Sequence, residues 1–484
     1  MILFKFYGIF ISSFRNKLFT ATKEVGMNST TKKNVGVELI NLLDPRFNKL
    51  YGCSLDEALV ALRASQLTSL PGEFALACLD EDHNAVTATR TIGVPARIAC
   101  QLVSSDHMRI IIAHTIAEIR QAWTIGLPTS MGWLKPFDPT YTEMLPAFFT
   151  ETISLDNLRQ RTYRWFLQGP EHKRYVQSNQ LPANAQQIGN EYVRLLQAVI
   201  LNQIELIPAN EPIGVALSGG ADSMVITTVL LETLRQCGRN NPVSAVTLAI
   251  NEGGSDLPQA QKVAEILGQR HPNFHLQVIR INSNDVNLAA LKQESMLTLE
   301  EYHSRDVECG IAGLLLHQGL GGNNRLSLRY AFDGDWGNEI FQDYPREDQG
   351  YGIVPLEDVL ADPLLFLLGY ERSKLAFNPV FSSGLSRAYT RTFNPARRYG
   401  VIPFSPLVDR RLIDFGQRLP LAQFDPKHLP ALRPEAVRLG VRSTFGLDLP
   451  AFPKARFQEG CAKPGLLSIS LSESLKLKQL LLAQ

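Results

Sequence analysis

Apolar and polar residues follow two different patterns along the chain. Between about residues 35 and 150, short apolar runs are broken by Asp, Asn and Gly turns, which is typical of a β-rich domain. From about residue 190, strand-like runs (213–217, 244–250, 275–281 and 326–332) alternate with helix-like runs (224–236, 259–269 and 311–317). This alternation predicts a doubly wound parallel sheet covered by helices, so the fold class is α/β with a β-rich front part.

The length of 484 residues favours two domains. The polar stretch 168–187, with several glutamines and two prolines, is the expected linker. The predicted division is an N-terminal arm over 1–34, a front domain over 35–187 and a back domain over 188–484. The start is apolar and then basic and does not resemble a signal peptide, and Met27 is an alternative start that would make residues 1–26 an artefact or a disordered arm.

Composition excludes several classes of protein. The 48 basic residues against 47 acidic ones argue against a chain built to coat nucleic acid or an anionic membrane. The six cysteines form no CxxC pair and no cluster with zinc-binding spacing, which indicates a reduced, cytoplasmic protein without structural zinc. No apolar run reaches the roughly 18 residues of a membrane span. The sequence does not define the oligomeric state and is compatible with a homodimer.

A glycine-rich segment marks the first candidate site. The apolar run that begins at Ile213 stops at Ser218-Gly219-Gly220-Ala221-Asp222-Ser223 and leads directly into a helix-like run. Two glycines let the backbone approach a polyphosphate, successive N–H groups form an anion nest, and the helix N-terminus adds positive charge. The interpretation is an ATP phosphate loop that includes Leu217, in which Asp222 requires a cation, Mg²⁺, between itself and the phosphates. The spacing is not the Walker pattern, and an ordinary Gly-rich turn is the alternative.

A second loop is expected at the same edge of the sheet. Ligands of open parallel sheets lie beyond the carboxyl ends of the strands. The run 326–332 is followed by Asp333-Gly334-Asp335-Trp-Gly-Asn338-Glu339. Gly334 of this loop and Leu248, in the run 244–250, are expected to bind the nucleotide. The carboxylates of Asp333, Asp335 and Glu339, with Asn338, are the candidates for the second side of a magnesium–pyrophosphate site. A surface acidic loop is the alternative.

These motifs resemble a known family. The SGGxDS loop is similar to that of the ATP pyrophosphatases, and residues 70–465 resemble asparagine synthetase and, more closely, the β-lactam synthetases. Residues 334–344 are similar to the family's G-x-G-S/A-D-E-x-x-G-G-Y loop, with Asn338 at the position of a metal-binding Asp. The resemblance implies that Glu339 or Asp335 carries the missing charge, or that metal binding is impaired. Residues 402–412 resemble the P-F-L-D-x-R-L segment that forms the floor of the synthetase site.

Two further matches imply catalytic roles. Residues 453–460 resemble the stretch of β-lactam synthetases whose lysine stabilises the acyl-transfer intermediate, which assigns that role to Lys454. Residues 346–348 resemble their H-R-E-D segment, so Glu347 inherits the base that deprotonates the attacking amine. The family's partner tyrosine is missing, and Tyr302, His303 or Glu308 substitutes for it, or Glu347 acts alone.

The front domain resembles a degenerate glutaminase domain of the Ntn type, with an αββα arrangement. Residues 71–77 and 90–95 are similar to the family's D-G-x-F-A-F-A and R-D-x-x-G-x-x-P segments. A glutaminase needs a cysteine directly after the initiator Met, whereas Ile2 or Asn28 stands there and the first cysteine is Cys53. Glutamine hydrolysis is therefore not expected, and the back domain is expected to adopt the fold of adenine-nucleotide α-hydrolases.

The expected function is an ATP- and Mg²⁺-dependent ligase. It adenylates the carboxylate of a small amino-acid-like substrate, releases pyrophosphate and closes a lactam ring by attack of an internal amine, in the biosynthesis of an antibiotic or toxin. The alternatives are a lasso-peptide macrolactam cyclase, an ammonia-dependent asparagine synthetase and a non-catalytic nucleotide-binding subunit.

Overall fold

The computed structural model describes most of the chain between residues 22 and 480. The described residues are 22–25, 33–67, 70–80, 83–104, 107–124, 137–138, 142–145, 147–155, 161–165, 170–300, 304–322, 326–341, 343, 385–425, 428–453, 456–470, 472–473, 475–476 and 479–480. The chain forms two compact units, one chiefly of residues up to Pro170 and one chiefly of residues from Glu171. The predicted domain bounds at residues 34 and 187 stay a prediction. Within the described ranges, no helix is both long and apolar enough to span a membrane.

The N-terminal unit is rich in strands. Its strands are β1 (Thr22–Val25), β2 (Lys33–Ile40), β3 (Lys49–Leu50), β4 (Gly72–Glu73), β5 (Ala75–Asp80), β6 (Ala85–Arg90), β7 (Arg97–Ser104), β8 (His107–Ala113), β9 (Thr142–Met144), β10 (Phe149–Ser154) and β11 (Arg161–Trp165). Its helices are α1 (Leu55–Arg63) and α2 (Ile116–Thr124). One sheet has the order β1-β2-β8-β7-β9 and another the order β11-β10-β6-β5.

Each helix of this unit lies on one of the two sheets. Helix α2 buries Ile119 and Trp123 in a cluster with Ile111 of β8, and α1 contacts β5 and β6. Ser54 caps α1 through a reciprocal hydrogen-bond pair with Glu57, which satisfies N–H groups at the start of the helix. The β-rich texture of the sequence therefore appears as two larger sheets and the short two-stranded sheet β3-β4, whereas the αββα layering of an Ntn domain stays a prediction.

The C-terminal unit alternates strands and helices. Its strands are β12 (Ile213–Ala216), β13 (Val243–Ile250), β14 (Phe274–Ile281), β15 (Tyr330–Phe332) and β16 (Ile402–Phe404). Its helices are α3 (Pro170–Ser178), α4 (Ala185–Glu205), α5 (Ala221–Gln236), α6 (Asp256–Gly268), α7 (Leu288–Leu299), α8 (Ser304–Gly321), α9 (Gly337–Phe341), α10 (Leu385–Arg398), α11 (Arg410–Gln417), α12 (Leu429–Phe445) and α13 (Phe457–Gly460). Short 3₁₀ turns lie at Ser283–Asp285, Pro406–Val408 and Leu421–Gln423.

The strands of this unit form one parallel sheet in the order β14-β13-β12-β15-β16. The predicted parallel sheet is thus confirmed. The first strand along the chain, β12, lies at the centre, and the chain continues to β13 on one side and later to β15 on the other. The order therefore reverses between β12 and β15, and the loops after these two strands flank the position where ligands bind in open α/β sheets.

Two helices approach each other with almost no space between their backbones. An added Cβ at Gly189 of α4 would overlap the carbonyl oxygen of Ala436 in α12, and an added Cβ at Gly440 would overlap the carbonyl oxygen of Gly189. Small residues at a crossing let helix axes come closer than larger side chains allow. This contact holds α12 directly against α4.

Gly189→Ala is expected to destabilise the C-terminal unit by about 1–3 kcal/mol, because the methyl group forces α4 and α12 apart. Urea unfolding measures the change. Gly268→Ala is the matched control, since nothing lies within 4 Å of a Cβ at that helical position, and it should not reduce stability. Equal stability of the wild type and Gly189→Ala would refute the close approach.

Candidate functional site

The phosphate-loop segment joins the central strand to a helix, as the sequence predicts. Leu217 N–H donates to the carbonyl of Val246 at 2.9 Å, which continues the sheet by one residue, and α5 begins at Ala221 with Gly220 as its N-cap. The Ser218 hydroxyl accepts from Gly220 N–H at 3.2 Å and lies 3.1 Å from the Ser223 hydroxyl. The loop is therefore held in shape by its own side chains.

Gly219 adopts a conformation that other residues rarely take. Its φ of +83° lies in the left-handed region, and an added Cβ would overlap Gln259 of α6. Gly219 is thus required both for the turn and for the close contact with α6. The loop carries backbone N–H groups at the start of α5, where the helix dipole favours an anion.

The acidic loop after β15 packs directly on the phosphate loop. An added Cβ at Gly334 would lie 2.8 Å from the backbone nitrogen of Ser223, and one at Gly337 would overlap the carboxylate of Asp222. Trp336, between the two glycines, has a φ of +92° and is buried. The two loops that the sequence places at one sheet edge are therefore in contact, and only glycine fits at the contact points.

The acidic side chains of this loop are held by neighbouring hydroxyl groups. Ser405, directly after β16, donates to Asp333 Oδ2 at 2.5 Å, and Thr392 of α10 donates to Asp335 Oδ2 at 2.6 Å. Asp333 Oδ1 also accepts from the backbone N–H of Asp335 at 3.0 Å. Residues 402–404, expected as part of the site floor, form the edge strand β16 beside β15 and so place Ser405 at this loop.

A buried arginine connects the phosphate loop to the acidic loop. Arg433 of α12 is 4% exposed; its Nη1 is paired with Asp222 Oδ2, and its Nε donates to Asp343 Oδ2 at 2.7 Å. Asp343 in turn accepts from Asn338 Nδ2 at 2.6 Å. Burial alone lowers the pKa of Arg433, but the charges of Asp222 and Asp343 outweigh burial, so its pKa is raised and the guanidinium stays protonated.

Tyr192 of α4 lies close enough to this ion-pair network to be affected by its charges. Its ring packs between Phe341 and Phe415, and the residue is completely buried. Burial, followed by the charge of Asp222, raises the pKa of Tyr192 well above its ordinary value. Among the described residues, the Tyr192 hydroxyl has no hydrogen-bond partner. The hydroxyl thus stays neutral.

The four predicted magnesium ligands do not assemble into one cluster. Asp222 has one oxygen paired with Arg433, and its Oδ1 is buried against Gly337 without a hydrogen-bond partner among the described residues. Asp335 faces Thr392, Asn338 directs its amide at Asp343, and Glu339 is 5% exposed. Across the described residues, no group of three or more His, Cys, Asp or Glu side chains could hold a metal ion. These residues, as arranged, do not form a metal site by themselves.

The segment after Lys454 docks at the same edge of the sheet. Ile250 N–H, at the end of β13, donates to the carbonyl of Cys461 at 2.8 Å. An added Cβ at Gly254 would lie 2.8 Å from the carbonyl oxygen of Ala462, and one at Gly460 would overlap the carboxylate of Asp256. Leu248, assigned to the nucleotide, is a buried residue of β13 two positions before Ile250. The loop after β13, α13 and the residues that follow α13 thus meet beside the phosphate loop's strand.

Asp256 is buried in that contact. It is 6% exposed at the first position of α6, and burial raises its pKa to about 7. Burial also raises the pKa of the neighbouring Cys461 thiol, and electrostatic repulsion from Asp256 and Cys309 raises that pKa further. The Cys309 thiol donates to Gln458 Oε1 at 3.1 Å, so α8 contributes to the same region.

Several predicted residues lie outside the described part of the chain. They are Lys454, Glu347, Tyr302 and His303. Glu308, the third candidate to replace the family tyrosine, lies on α8 and accepts from the backbone N–H of Ile469 at 2.8 Å. The roles of these five residues stay predictions.

Sequence reasoning missed Arg433, Asp343, Tyr192 and Asp256. Arg433 is one of several charged residues of α12, so the sequence does not single it out, and its partner Asp222 lies 211 residues away in sequence. No spacing rule connects residues so far apart, so the pairing is visible only in the folded chain. Asp256 follows the strand-like run 244–250 in the sequence, and its contact with Gly460 is visible only in the folded chain.

Comparison with known proteins supports part of this picture. Residues 203–397 match the Asparagine synthase family. Among solved structures, the chain is similar to NMN synthetase from Francisella tularensis, with 15% identity, a TM-score of 0.22, and coverage of 55% of this chain and 99% of that chain. It is also similar to NAD+ synthetase from Burkholderia pseudomallei, with 14% identity, a TM-score of 0.24, and coverage of 57% and 94%. These TM-scores are too low to carry an argument, and no curated protein matches the chain.

The family match supports the resemblance to asparagine synthetases. It spans β12 to β15, the phosphate loop and the acidic loop. It does not separate a β-lactam synthetase from other members, and it does not reach the Lys454 segment or the N-terminal unit.

Asp256→Asn is expected to make the stability of the C-terminal unit less dependent on pH. Because the folded-state pKa is raised to about 7, the folded protein holds an extra proton, and stability is lost as the pH rises from about 4 to above 7. The amide mimics the protonated acid, so the stability advantage of the variant over the wild type should be larger at pH 8 than at pH 5 by on the order of 1–3 kcal/mol.

Urea unfolding at pH 5 and pH 8 measures this difference. Asp285→Asn, at an exposed position of the same unit, is the control and should show no such dependence. A stability difference between Asp256→Asn and the wild type that is the same at both pH values would contradict the buried carboxyl.

Proposed function

We propose that the C-terminal unit is an ATP-dependent amide synthetase. The observation that carries this proposal is the contact between the two loops at the switch point of the sheet. The Ser218–Ser223 turn presents N–H groups at the start of α5, and Gly334 and Gly337 bring the acidic loop against it with no room for a side chain. The match of residues 203–397 to the Asparagine synthase family supports the same function.

The proposed reaction has two steps. A substrate carboxylate attacks the α-phosphorus of ATP, which forms an acyl-adenylate and breaks the bond to the β-phosphate oxygen, so pyrophosphate leaves. An amine nitrogen then attacks the acyl carbon, loses a proton and expels AMP, and an amide remains. ATP, as its magnesium complex, is the proposed co-substrate.

We propose further that the amine belongs to the substrate, so that the product is a lactam. The resemblance of residues 70–465 to the β-lactam synthetases supports an internal amine as the nucleophile. An internal amine held beside the activated carbonyl gains an orientation effect that reaches about 7–11 kcal/mol for well-aligned groups. A β-lactam formed in antibiotic or toxin biosynthesis is the product that the resemblance favours.

In the acyl-transfer step, Lys454 is the proposed stabiliser of the oxyanion and Glu347 the proposed base. The segment that follows Lys454 supports this assignment, because α13 and Cys461 lie against the carboxyl end of β13. A fixed positive charge beside a developing oxyanion stabilises the transition state by several kcal/mol.

Gly219→Ala tests the phosphate loop. The added methyl group would overlap Gln259 and would require a left-handed alanine, so the loop N–H groups cannot keep their direction toward the phosphates. Pyrophosphate release that depends on ATP and on a carboxylate substrate should fall at least about a hundredfold, the scale of a lost set of oriented donors. Release is measured with a coupled phosphate assay across amino-acid substrates that carry an internal amine.

Gly238→Ala provides the matched control, because Gly238 also has a positive φ (+66°), follows the other end of α5 and has nothing within 4 Å. It should retain pyrophosphate release. Normal release by folded Gly219→Ala would remove the phosphate-loop assignment. AMP formation only with added ammonia would identify an ammonia-dependent asparagine synthetase, and cyclisation of a peptide would identify a macrolactam cyclase.

Lys454→Ala and Glu347→Gln test the second step. Loss of the lysine should depress lactam formation by at least about a thousandfold, because the oxyanion loses its opposing charge, and loss of the base should slow it by about a hundredfold. Both variants should still bind ATP. Mass spectrometry of AMP and cyclised product gives the rates, and Lys463→Ala, an exposed lysine after α13, is the control. Wild-type rates of product formation in both variants would refute these roles.

A further inference from the structure

The phosphate loop contains a cation of its own. Arg433 approaches it from α12 and pairs with Asp222, the acidic residue that the loop carries at the second position of α5. The guanidinium is 4% exposed and pairs with the carboxylates of Asp222 and Asp343. Arginine is always protonated in proteins, so this charge is permanent. It supplies positive charge directly beside the Asp222 carboxylate.

The fold fixes this arrangement from several directions. Arg433 lies seven residues before Gly440, where the backbone of α12 touches that of α4. Its Nε is bound to Asp343, and Asp343 is bound to Asn338 of the acidic loop. The remaining oxygen of Asp222 is buried against Gly337. One oxygen of Asp222 therefore pairs with Arg433, and the other lies buried beside the acidic loop.

We propose that Arg433 is a positioning residue of the nucleotide site: it neutralises Asp222 and thereby allows the loop to accept the polyphosphate of a nucleoside triphosphate without a prebound divalent metal. This inference rests on the proposed function. It differs from the expectation that Asp222 is a magnesium ligand, because it assigns the charge balance at Asp222 to the protein.

The charges explain why the arginine matters. ATP brings several negative charges toward N–H groups at the start of α5, and Asp222 lies in the first turn of that helix. An unpaired carboxylate there would repel the phosphates, and like charges in close contact cost binding strongly. Paired with Arg433, the carboxylate keeps its structural position without presenting its full charge to the ligand.

Metal-free nucleotide binding tests the proposal. A fluorescent, non-hydrolysable ATP analogue is titrated into the full chain with EDTA and, separately, with Mg²⁺, and the ratio of the two dissociation constants is compared among variants. The wild type should bind in EDTA no more than about tenfold more weakly than with Mg²⁺. In Arg433→Gln that ratio should grow by at least about a further tenfold, because the metal then supplies the missing charge.

A second variant separates charge from folding. Asp222→Asn/Arg433→Gln removes both charges of the Asp222–Arg433 pair, so the ratio of the dissociation constants in EDTA and Mg²⁺ should return to within about threefold of the wild-type value. This double variant is used for the test if Arg433→Gln does not fold. Arg270→Gln is the matched control, because Arg270 pairs with Glu232. Glu232 is a buried residue of α5 near the end of the helix that is opposite the phosphate loop. The ratio of Arg270→Gln should equal that of the wild type. Circular dichroism establishes folding.

The outcomes distinguish the two proposals. An unchanged ratio in folded Arg433→Gln, a double variant that remains as metal-dependent as the single one, or a wild type that binds only with Mg²⁺ would overturn the role of Arg433 and leave the synthetase proposal intact. A wild type that binds the analogue under neither condition would overturn both.

Discussion

The ion pair between Arg433 and Asp222 is the interaction on which the arrangement of the C-terminal unit depends. It joins the helix after the central strand to a helix 211 residues later, and through Asp343 it includes the acidic loop. Removing one partner of a buried pair is costly because the other is left without compensation, by about 3–5 kcal/mol in typical cases. Phosphate loop, acidic loop and α12 are therefore held as one network rather than as three independent elements.

Glycine contacts give this network its precision. Gly219 against α6, Gly337 against Asp222 and Gly189 against α12 each remove the space that a methyl group would need. Backbones in direct contact leave little freedom to shift, since closely packed interiors transmit even small displacements. The loop N–H groups are thus oriented before any ligand arrives, which is the condition for strong electrostatic stabilisation of a phosphate.

The sequence predicted the sheet better than it predicted the site. The apolar run 213–217 and the run 275–281 correspond closely to β12 and β14. β12 is buried at the centre of the sheet and appears as a continuous apolar segment, whereas β14 is an edge strand in which apolar residues alternate with exposed polar ones. Bounds were less accurate: the run 326–332 contains a strand only at Tyr330–Phe332, and the helix predicted at 311–317 extends over Ser304–Gly321. Residues 170–178, expected as linker, form α3. The segment is polar, with few apolar residues, so its sequence does not show the apolar stripe from which a helix is predicted.

At the site, the sequence located Asp222 and Gly334 but not their partners. Adjacent glycines and an acid after a strand form a local signal, and contact between the two loops follows from strand order. Arg433 and Tyr192 contribute through tertiary packing alone, and nothing in their neighbouring residues marks that role. The departure at Asn338 is explained in part, because its amide binds Asp343.

Hydrogen exchange at the two loops tests the central claim most directly, because it requires no knowledge of the acyl substrate. Exchange of backbone amides is measured by mass spectrometry with and without a non-hydrolysable ATP analogue. Protection of peptides that cover Ser218–Ser223 and residues 334–338, without protection in the N-terminal unit, is the predicted result. Binding of the analogue that leaves both loops unprotected would contradict the account.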